Sequence, residues 1–188
     1  MEIGVLALQG CIDPHLSHLE SLGVRGVPVR NERELSRCSG LILPGGESSA
    51  MLKLLDRDSF FEPLQSYLAQ NPAWGICAGA ILLSQEVVNP AQRSFGTAPL
   101  KAERNHYGSQ LDSFKAEVAV TGFDSPIPVD FIRAPLLTAL SDRVETLAVH
   151  DGDGVLFRSG HTLISAFHTE LNNDSRLHEL FLSLVTSV

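Results

Sequence analysis

The sequence predicts an α/β fold with a mostly parallel central sheet, helices on both faces and an antiparallel extension. Two observations support this fold class. Through residue 83, short aliphatic runs alternate with longer helix-like segments, an order that favours parallel strands joined by crossover helices. From about residue 90, short β-rich segments follow one another with only brief turns between them, which favours antiparallel pairing.

The first half of the chain accounts for four predicted strands and most of the helices. Ile3 to Leu8 is an almost continuous apolar run, which is typical of a strand buried on both faces. Asn31 and Glu34 have the spacing of a helix cap with an acid three residues later. The predicted strands are 3–8, 26–30, 40–43 and 73–76, and the predicted helices are 14–22, 48–55, 60–69 and 78–83.

The second half carries the strands of the predicted extension and one final helix. Residues 176–185 place their leucines with helical spacing, so this helix should bury one face. Asp151-Gly152-Asp153-Gly154 resembles the start of a calcium loop, but position 162, where the loop needs glutamate, is threonine. A tight turn between strands is the better interpretation. The predicted strands are 115–120, 129–132, 146–150, 154–157 and 162–167.

Length and composition predict one globular domain that spans residues 1–188. The chain is 44% hydrophobic and 19% charged, and its net charge of −8 disfavours binding to nucleic-acid phosphates and to anionic membranes. No run of about 18 apolar residues is present to span a bilayer. Glu2 places an acid where a signal peptide carries a base. We therefore expect a cytoplasmic protein that binds neither nucleic acid nor membrane.

The three cysteines, Cys11, Cys38 and Cys77, are far apart and form no CxxC pair. Their number and spacing predict neither a disulfide framework nor a structural zinc site, and they favour a reducing compartment. Cys11 and Cys38 lack any surrounding motif, so we interpret them as packing or incidental surface residues. No metal or cofactor is expected.

Cys77 is the candidate nucleophile. Gly75-Ile76-Cys77-Ala78-Gly79 lies between a predicted strand and a predicted helix, with the spacing of a nucleophile elbow. Such a turn raises the central side chain above the sheet edge, and small neighbours let adjacent backbone pass closely. The start of the helix favours a thiolate and offers N–H groups to an oxyanion. The plainer alternative, a small buried cysteine, does not account for the two glycines.

His168 is the best-placed base among the seven histidines. It follows the apolar run 162–167, so it should lie at the carboxyl edge of the sheet, where α/β proteins gather their functional groups. Glu170 is two residues on, and in extended chain its carboxylate points the same way as the imidazole. A solvated loop is the alternative for so short a motif. His15 and His18 are interpreted as an exposed helix face, since no third metal ligand is evident.

Seven short motifs carry a family resemblance. Leu43–Ser48 (LPGGES), Gly75–Gly79 (GICAG) and Phe167–Glu170 (FHTE) are similar to the triad-type, class I glutamine amidotransferases. Four others narrow the resemblance to the glutaminase subunits of pyridoxal 5′-phosphate synthases. They are Gly4–Gly10 (GVLALQG), Glu103–Asn105 (ERN), Gln110–Phe114 (QLDSF) and Phe131–Pro135 (FIRAP).

This resemblance implies a flavodoxin-like three-layer sandwich that hydrolyses L-glutamine to glutamate and ammonia. It assigns the nucleophile to Cys77, the base to His168 and the orienting carboxylate to Glu170. It also implies that the ammonia passes, within a hetero-oligomeric complex, to a (β/α)8 synthase subunit that builds pyridoxal phosphate. The implied glutamine-binding residues are Gly46, Glu47, Ser48, Arg104, Ile132 and Arg133, and the implied oxyanion donors are at Gly46 and Ala78.

Two departures from the family pattern are visible, Thr169 where proline is usual and Ile76 where threonine or methionine is common. Neither removes a reacting group. Three alternatives stay open at this point. The chain could serve another synthase, such as that of imidazole glycerol phosphate, or be a free-standing cysteine hydrolase or chaperone of related fold. It could also be a catalytically silent binding module.

Overall fold

A computed structural model describes residues 1–104 and 113–187. The strands in this part of the chain are short, and most are buried on at least one face. In chain order they are β1 (Glu2–Leu6), β2 (Arg25–Val29), β3 (Gly40–Leu43), β4 (Ala73–Ile76), β5 (Ser84–Val88), β6 (Ala98–Glu103), β7 (Phe114–Val118), β8 (Ile127–Phe131), β9 (Leu136–Ala139), β10 (Glu145–His150), β11 (Asp153–Ser159) and β12 (Thr162–Ser165).

The helices follow the sequence signals closely. Asn31 caps the second helix by accepting a hydrogen bond from the Glu34 N–H at 3.1 Å, and the Glu34 carboxylate accepts one from the Arg30 N–H at 2.7 Å. The predicted cap is therefore confirmed. The helices are α1 (Asp13–Ser21), α2 (Glu32–Leu35), α3 (Ser48–Arg57), α4 (Phe61–Leu68), α5 (Ala78–Leu83) and α6 (Arg176–Thr186).

The central sheet has the strand order β10-β11-β12-β4-β3-β1-β2. The five strands from β12 to β2 are parallel, and β11 and β10 add an antiparallel edge. The parallel part has the 2-1-3-4-5 order of flavodoxin-like folds, whose ligands bind at the carboxyl ends of the strands. The predicted fold class, a mostly parallel sheet with an antiparallel extension, is confirmed.

The helices cover both faces of this sheet. On β4, Trp74 packs edge-on against His178 of α6, with ring centroids 5.0 Å apart. A Cβ atom built on the next residue, Gly75, would instead lie 2.7 Å from Leu83 of α5. Because successive strand residues point to opposite faces, α5 and α6 lie on opposite sides of the sheet. This gives the three-layer arrangement that the fold class requires.

Two small sheets lie outside the central one, and the sequence pattern missed three of their strands. One sheet has the order β5-β6-β9 and the other pairs β7 with β8. β5 begins at Ser84, directly after α5, so no turn residue marks the boundary. β6 contains Pro99, which weakens a strand signal. The predicted antiparallel extension is therefore split between two sheets. β10 and β11 belong to the central sheet, and β7 and β8 form a separate two-stranded sheet.

The prediction that His15 and His18 form an exposed helix face was wrong. His15 is 0% exposed and His18 is 8% exposed, because α1 packs this face against α6. His15 Nδ1 lies 2.9 Å from His178 Nε2, and the His18 ring stacks on that of His178 at 4.3 Å. Each imidazole therefore has a polar or stacking partner, although His15 Nε2 and His178 Nδ1 have no hydrogen-bond partner among the described residues.

The Asp151–Gly154 segment forms the predicted tight turn. His150 pairs with Asp153 across the β10–β11 hairpin, which leaves Asp151 and Gly152 as a two-residue loop. Both have positive φ angles, +50° and +91°, as a type I′ turn requires. Cys38 is buried in the core, as predicted, and Cys11 is half-buried.

Within the described ranges, no helix combines the length and the apolar character that crossing a membrane requires.

Candidate active site

Cys77 occupies a strained turn between β4 and α5. Its backbone has φ +48° and ψ −99°, a conformation that side-chain-bearing residues rarely adopt. The Cys77 N–H donates to the Ser165 carbonyl at 2.9 Å, which ties the turn to β12. A Cβ atom at Gly79 would overlap the Leu43 carbonyl, and one at Gly75 would lie 2.7 Å from the Gly79 carbonyl. The elbow therefore requires glycine at both flanking positions, because a larger residue at either one would clash with the backbone.

His168 is held at the carboxyl edge of the sheet by pairing with β8. It exchanges two backbone hydrogen bonds of 2.8 Å with Asp130, in an isolated antiparallel bridge. Its Nδ1 lies 2.7 Å from Glu170 Oε1, and the Glu170 side chain is fully buried. Glu170 Oε2 also accepts a hydrogen bond from the Thr169 N–H at 3.1 Å. The proximity of His168 to Glu170 that the sequence spacing predicts is present.

The charges around His168 favour its protonated form. Burial disfavours an imidazolium, but hydrogen bonds with Cys77 and Glu170 outweigh burial and raise the pKa of His168 to about 10. Burial likewise disfavours a charged Glu170, yet the hydrogen bond from His168 and the nearby His15 hold the pKa of that carboxyl below its usual range. An imidazolium beside a sulfur favours the thiolate form of a cysteine.

A pocket opens over Cys77, and it is lined by residues from both halves of the chain. The Cys77 thiol donates to the Ile132 carbonyl, with Sγ and O 3.8 Å apart. Ala78 is the first residue of α5, so its N–H has no acceptor within the helix. The pocket is lined by Gly46, Glu47, Ser48, Cys77, Ala78, Ile81, Arg104, Ile132 and Arg133. Every residue that the resemblance assigned to glutamine binding or to the oxyanion hole lies here.

The turn after β3 forms one side of the pocket. The Glu47 N–H donates to Gln9 Oε1 at 2.8 Å, so this turn is fixed to the end of β1. Ser48 is buried and its hydroxyl donates to Gln92 Oε1 at 3.1 Å. Gly45 lies directly under His168, because a Cβ atom there would overlap the imidazole ring. The turn is therefore held between Gln9 on one side and the His168 ring on the other.

Two arginines place positive charge opposite this turn. Arg104 Nη2 lies 3.2 Å from Glu47 Oε1, and the Arg104 side chain is 13% exposed. Arg133 is exposed at the rim and has a positive φ of +46°. Burial disfavours a charged Glu47, but hydrogen bonds from Ser49 and the charges of Arg104 and Arg133 hold its pKa below the usual range. The pocket therefore presents one carboxylate between two guanidinium groups.

Three residues of the site carry no role predicted from the sequence. Ile81 lines the pocket one helical turn after Cys77, a spacing that could have identified it. Gln9 supports the Glu47 turn, and it belongs to a motif already noted at the end of β1. Asp130 positions His168 by strand pairing over 38 residues, and no local signal indicates this. The motif residues Asn105 and 110–112, and the competing His106, lie outside the described residues.

No group of three or more His, Cys, Asp or Glu side chains in residues 1–104 and 113–187 is arranged to hold a metal ion. His15, His18 and His178 lie close together, but their ring nitrogens contact one another and Ser175. This histidine cluster is therefore a hydrogen-bonded and stacked group between α1 and α6.

Comparisons with known proteins agree with this geometry. The model of the SNO glutamine amidotransferase family matches residues 5–187. Pyridoxal 5′-phosphate synthase subunit PdxT of Haemophilus ducreyi is 42% identical over 181 residues, 96% of this chain and 95% of the relative. The subunit of that name from Koribacter versatilis is 45% identical over 187 residues, 98% of this chain and 96% of the relative.

Solved structures give the same result. A crystal structure of a glutamine amidotransferase, 38% identical, has a TM-score of 0.91 and is matched over 98% of each chain. The structure of PurLQS from Thermotoga maritima, 15% identical, has a TM-score of 0.68 over 97% of each chain, and shares the fold alone. The chain belongs to the SNO glutamine amidotransferase family.

Proposed function

We propose that this chain hydrolyses L-glutamine to L-glutamate and ammonia through a cysteine thioester, with Cys77 as nucleophile, His168 as base and acid, and Glu170 as orienter. One observation carries the proposal. The strained Cys77 turn, the buried His168–Glu170 pair and a small pocket with both charge signs meet at one edge of the sheet. A nucleophile, a base and an orienting carboxylate in this relation are the parts of an acyl-transfer site.

The first half of the reaction forms the thioester. The Cys77 sulfur, as the thiolate partner of the His168 imidazolium, attacks the side-chain amide carbon of glutamine, and the carbonyl oxygen becomes an oxyanion. His168, protonated as its raised pKa favours, gives its proton to the amide nitrogen, which leaves as ammonia. Glu170 holds the His168 Nδ1–H, so that Nε2 is the atom that exchanges protons with the substrate.

The second half releases glutamate. Neutral His168 takes a proton from water, and the hydroxide attacks the thioester carbon. The C–S bond breaks, Cys77 leaves as a thiolate and His168 is again protonated. The net reaction consumes one glutamine and one water and yields one glutamate and one ammonia. No redox or metal step is needed for this balance.

The oxyanion donors are assigned to the backbone N–H groups at Gly46 and Ala78. Both residues line the pocket beside Cys77, and Ala78 begins α5 with a free helical donor position. Loss of one such donor costs about 3–4 kcal/mol of transition-state stabilisation in comparable hydrolases. The Gly46 N–H belongs to the turn that Gln9 supports. The position of that turn therefore determines how strongly the oxyanion hole stabilises the oxyanion.

The charges of the pocket suit the zwitterionic end of glutamine. Arg104 and Arg133 are assigned to the α-carboxylate, because a guanidinium binds a carboxylate through two parallel hydrogen bonds. Glu47, which stays ionised, is assigned to the α-ammonium group. Ser48 and the Ile132 backbone complete the contacts. Neutral amides without this end group should bind poorly.

The acceptor of the ammonia is proposed to be a (β/α)8-type pyridoxal 5′-phosphate synthase subunit in a hetero-oligomeric complex in the cytoplasm. The relatives of 42–45% identity are named as subunits of that synthase, and they match over nearly their whole length. Residues 1–188 are proposed to act as one glutaminase domain. The motifs at Arg104 and at Ile132–Arg133 favour this partner over an imidazole glycerol phosphate synthase.

The test is glutamate release from L-glutamine by the purified chain, alone and with a purified pyridoxal 5′-phosphate synthase subunit. We expect hydrolysis that rises with the synthase and does not rise with the cyclase subunit of an imidazole glycerol phosphate synthase. Equal stimulation by both would contradict the assigned partner. Absence of hydrolysis in every mixture would favour the catalytically silent module.

Cys77→Ala is the first variant to measure, and we expect it to lower glutamine turnover by at least about 1,000-fold, because it removes the covalent catalyst. Binding to the synthase should persist, since the change is buried and small. Cys38→Ala is the matched control, because Cys38 lies in the core away from the pocket. Turnover by Cys77→Ala above about one per cent of the wild-type value would contradict the assignment of Cys77 as the nucleophile.

A further inference from the structure

A chain of buried histidines lies behind Glu170, on the side away from Cys77, and the mechanism above does not use it. His15 and His178 are both 0% exposed. His15 Nε2 lies 3.9 Å from Glu170 Oε1, the same oxygen that lies 2.7 Å from His168 Nδ1. His15 Nδ1 lies 2.9 Å from His178 Nε2. The catalytic carboxylate therefore stands between two imidazoles.

The charge of the carboxylate determines how these rings are protonated. A lone pair on His15 Nε2 facing an ionised Glu170 would be repelled, so the stable tautomer carries its proton on Nε2. His15 Nδ1 is then an acceptor, and His178 Nε2–H is its donor across the 2.9 Å contact. His178 thus selects the tautomer of His15, as an outer partner does for a functional histidine.

We propose that His15 is a positioning residue, whose Nε2–H, with its tautomer set by His178, orients the Glu170 carboxylate toward His168. This proposal rests on the glutaminase function proposed above. His15 belongs to α1 and His178 to α6, so the orientation of the catalytic carboxylate depends on the packing of these two helices. His15 touches neither the pocket nor Cys77, and it acts only through Glu170.

Burial keeps His15 neutral, although the charge of Glu170 opposes it. Burial is the main cause that lowers the pKa of His15 to about 4 and that of His178 to about 2. Near neutral pH both rings are therefore uncharged dipoles. An uncharged donor can hold an ionised carboxylate without competing with the imidazolium of His168 for its charge.

The groups that face this cluster come from three parts of the fold. His18 of α1 stacks on His178, and its Nδ1 lies 2.8 Å from Ser175 Oγ. Cys11 stands before α1, and burial and the charge of Glu170 raise the pKa of its thiol. His168 faces Glu170 from the end of β12. His15 is the buried side-chain donor that approaches Glu170 from α1.

The distance of 3.9 Å makes this contact an ion–dipole interaction and not a full hydrogen bond. His15 Nε2 has no hydrogen-bond partner among the described residues, and a buried donor without one is costly. A shift of about 1 Å toward Glu170 would complete the bond. In a water-excluded interior even the longer contact is little screened.

Kinetics of glutamine hydrolysis provide the first test, using the chain together with its synthase. His15→Leu removes the donor, and we expect kcat/KM to fall about 10-fold or more, a usual cost for losing an outer partner. His15→Gln keeps an N–H near the Nε2 position and should stay within about 3-fold of wild type. His18→Leu is the matched control on the same helix and should also remain within about 3-fold, because the polar contact of His18 Nδ1 is with Ser175 Oγ, 2.8 Å away.

The double variant separates positioning from general destabilisation. If His15 acts through Glu170, His15→Leu should add little to the loss caused by Glu170→Gln, less than about 2-fold. A full additional 10-fold loss in that background would overturn the proposal. So would an equal loss in His15→Leu and His15→Gln, since only the first removes the donor.

A spectroscopic test does not depend on turnover. Nitrogen NMR of the histidine-labelled chain should show His15 protonated on Nε2, and carboxyl-carbon NMR should show a higher Glu170 pKa in His15→Leu than in wild type. A His15 ring protonated on Nδ1, or an unchanged Glu170 pKa, would overturn the proposal. If the chain does not hydrolyse glutamine, the glutaminase proposal fails. The two NMR measurements still test the contact between His15 and Glu170 in that case.

Discussion

The pocket has one wall made from the ends of central strands and a second wall made from the small sheets. The strand-end wall consists of the turn Gly46–Ser48 after β3 and the elbow Cys77–Ala78 after β4. The insert wall consists of Arg104 after β6, and Ile132 and Arg133 after β8. The first holds the Cys77 sulfur and the proposed oxyanion donors, and the second holds the positive charges.

The two walls are shaped by different forces. The strand-end wall is set by close contacts at Gly45, which faces the His168 ring, and at Gly75 and Gly79, which face backbone, where a single methyl group would not fit. The insert wall is set by strand pairing and by one ion pair between Arg104 and Glu47. Steric contacts at short range allow little adjustment, whereas an ion pair at a partly exposed site is weak and exchangeable. The Cys77 elbow is therefore held rigidly, whereas the Arg104 and Arg133 side chains can adjust their positions.

His168 joins the walls, since it follows central strand β12 yet pairs with Asp130 of β8 in the insert. A displacement of the insert would move the base relative to the nucleophile.

The junction should be the most sensitive point after the nucleophile itself. In Gly45→Ala, the new methyl group overlaps the His168 ring, so the ring must shift. We expect kcat/KM for glutamine to fall about 100-fold, because a misplacement near 1 Å costs about that much. Gly160→Ala is the control for adding a methyl group without a clash: its φ of +58° is left-handed, and nothing lies within 4 Å of the added Cβ. Equal kinetics in both variants would contradict the steric role of Gly45.

The insert wall should affect binding more than chemistry. Arg104→Ala is expected to raise KM for glutamine about 10-fold with little change in kcat, because a carboxylate contact present in both ground and transition states contributes uniform binding. Arg133→Ala should raise KM less, since Arg133 is more exposed to solvent. Steady-state kinetics decide this. A fall in kcat with unchanged KM would place Arg104 among the transition-state contacts instead.

The buried histidines behind the strand-end wall should control stability against pH. His15 and His178 have lowered pKa values, about 4 and about 2, so the unfolded chain binds protons first as pH falls below about 6.5. His168 has a raised pKa of about 10, so its stabilisation is complete below about 6.5 and is lost as pH rises toward 10. Stability should therefore peak near pH 6.5 and fall by about 1.4 kcal/mol per pH unit for each group on either side.

Urea unfolding between pH 4.5 and 9 measures this profile. His178→Gln removes one titrating ring and should make the acid-side decline shallower, while His161→Gln, outside the cluster, should leave it unchanged. An acid-side slope that His178→Gln does not alter would assign the decline to other groups.

Thr169→Pro should have the smallest effect. Proline removes the N–H that donates to Glu170 Oε2 at 3.1 Å, but it also restricts the backbone between His168 and Glu170. The two effects oppose each other, and we expect kcat/KM to change by less than about 3-fold, since the added rigidity offsets most of the roughly 1.5–3 kcal/mol that a hydrogen bond to an ionised carboxylate contributes. A loss above 10-fold would make the Thr169 N–H an essential support of Glu170.

The order of the central strands and helices could be predicted from the sequence because each element carries its own signal. Apolar runs such as Ile3–Leu8 indicate buried strands, and Gly75–Gly79 indicates the turn that raises Cys77. The pairing of His168 with Glu170 follows from a spacing of two in extended chain. The strands at Ser84–Val88 and Leu136–Ala139 lacked boundary residues or alternation, so local patterns did not indicate them.

By itself, then, the sequence determined the parallel α/β core, the elbow at Cys77 and the His168–Glu170 pair, since each depends on residues close together in the chain. Only the tertiary structure decided that His168 pairs with Asp130, that Arg104 meets Glu47, and that His15 is buried against His178. Those contacts join residues 38, 57 and 163 positions apart. Their formation depends on how helices and sheets pack. This packing is a long-range cooperative process that the spacing of neighbouring residues in the chain does not encode.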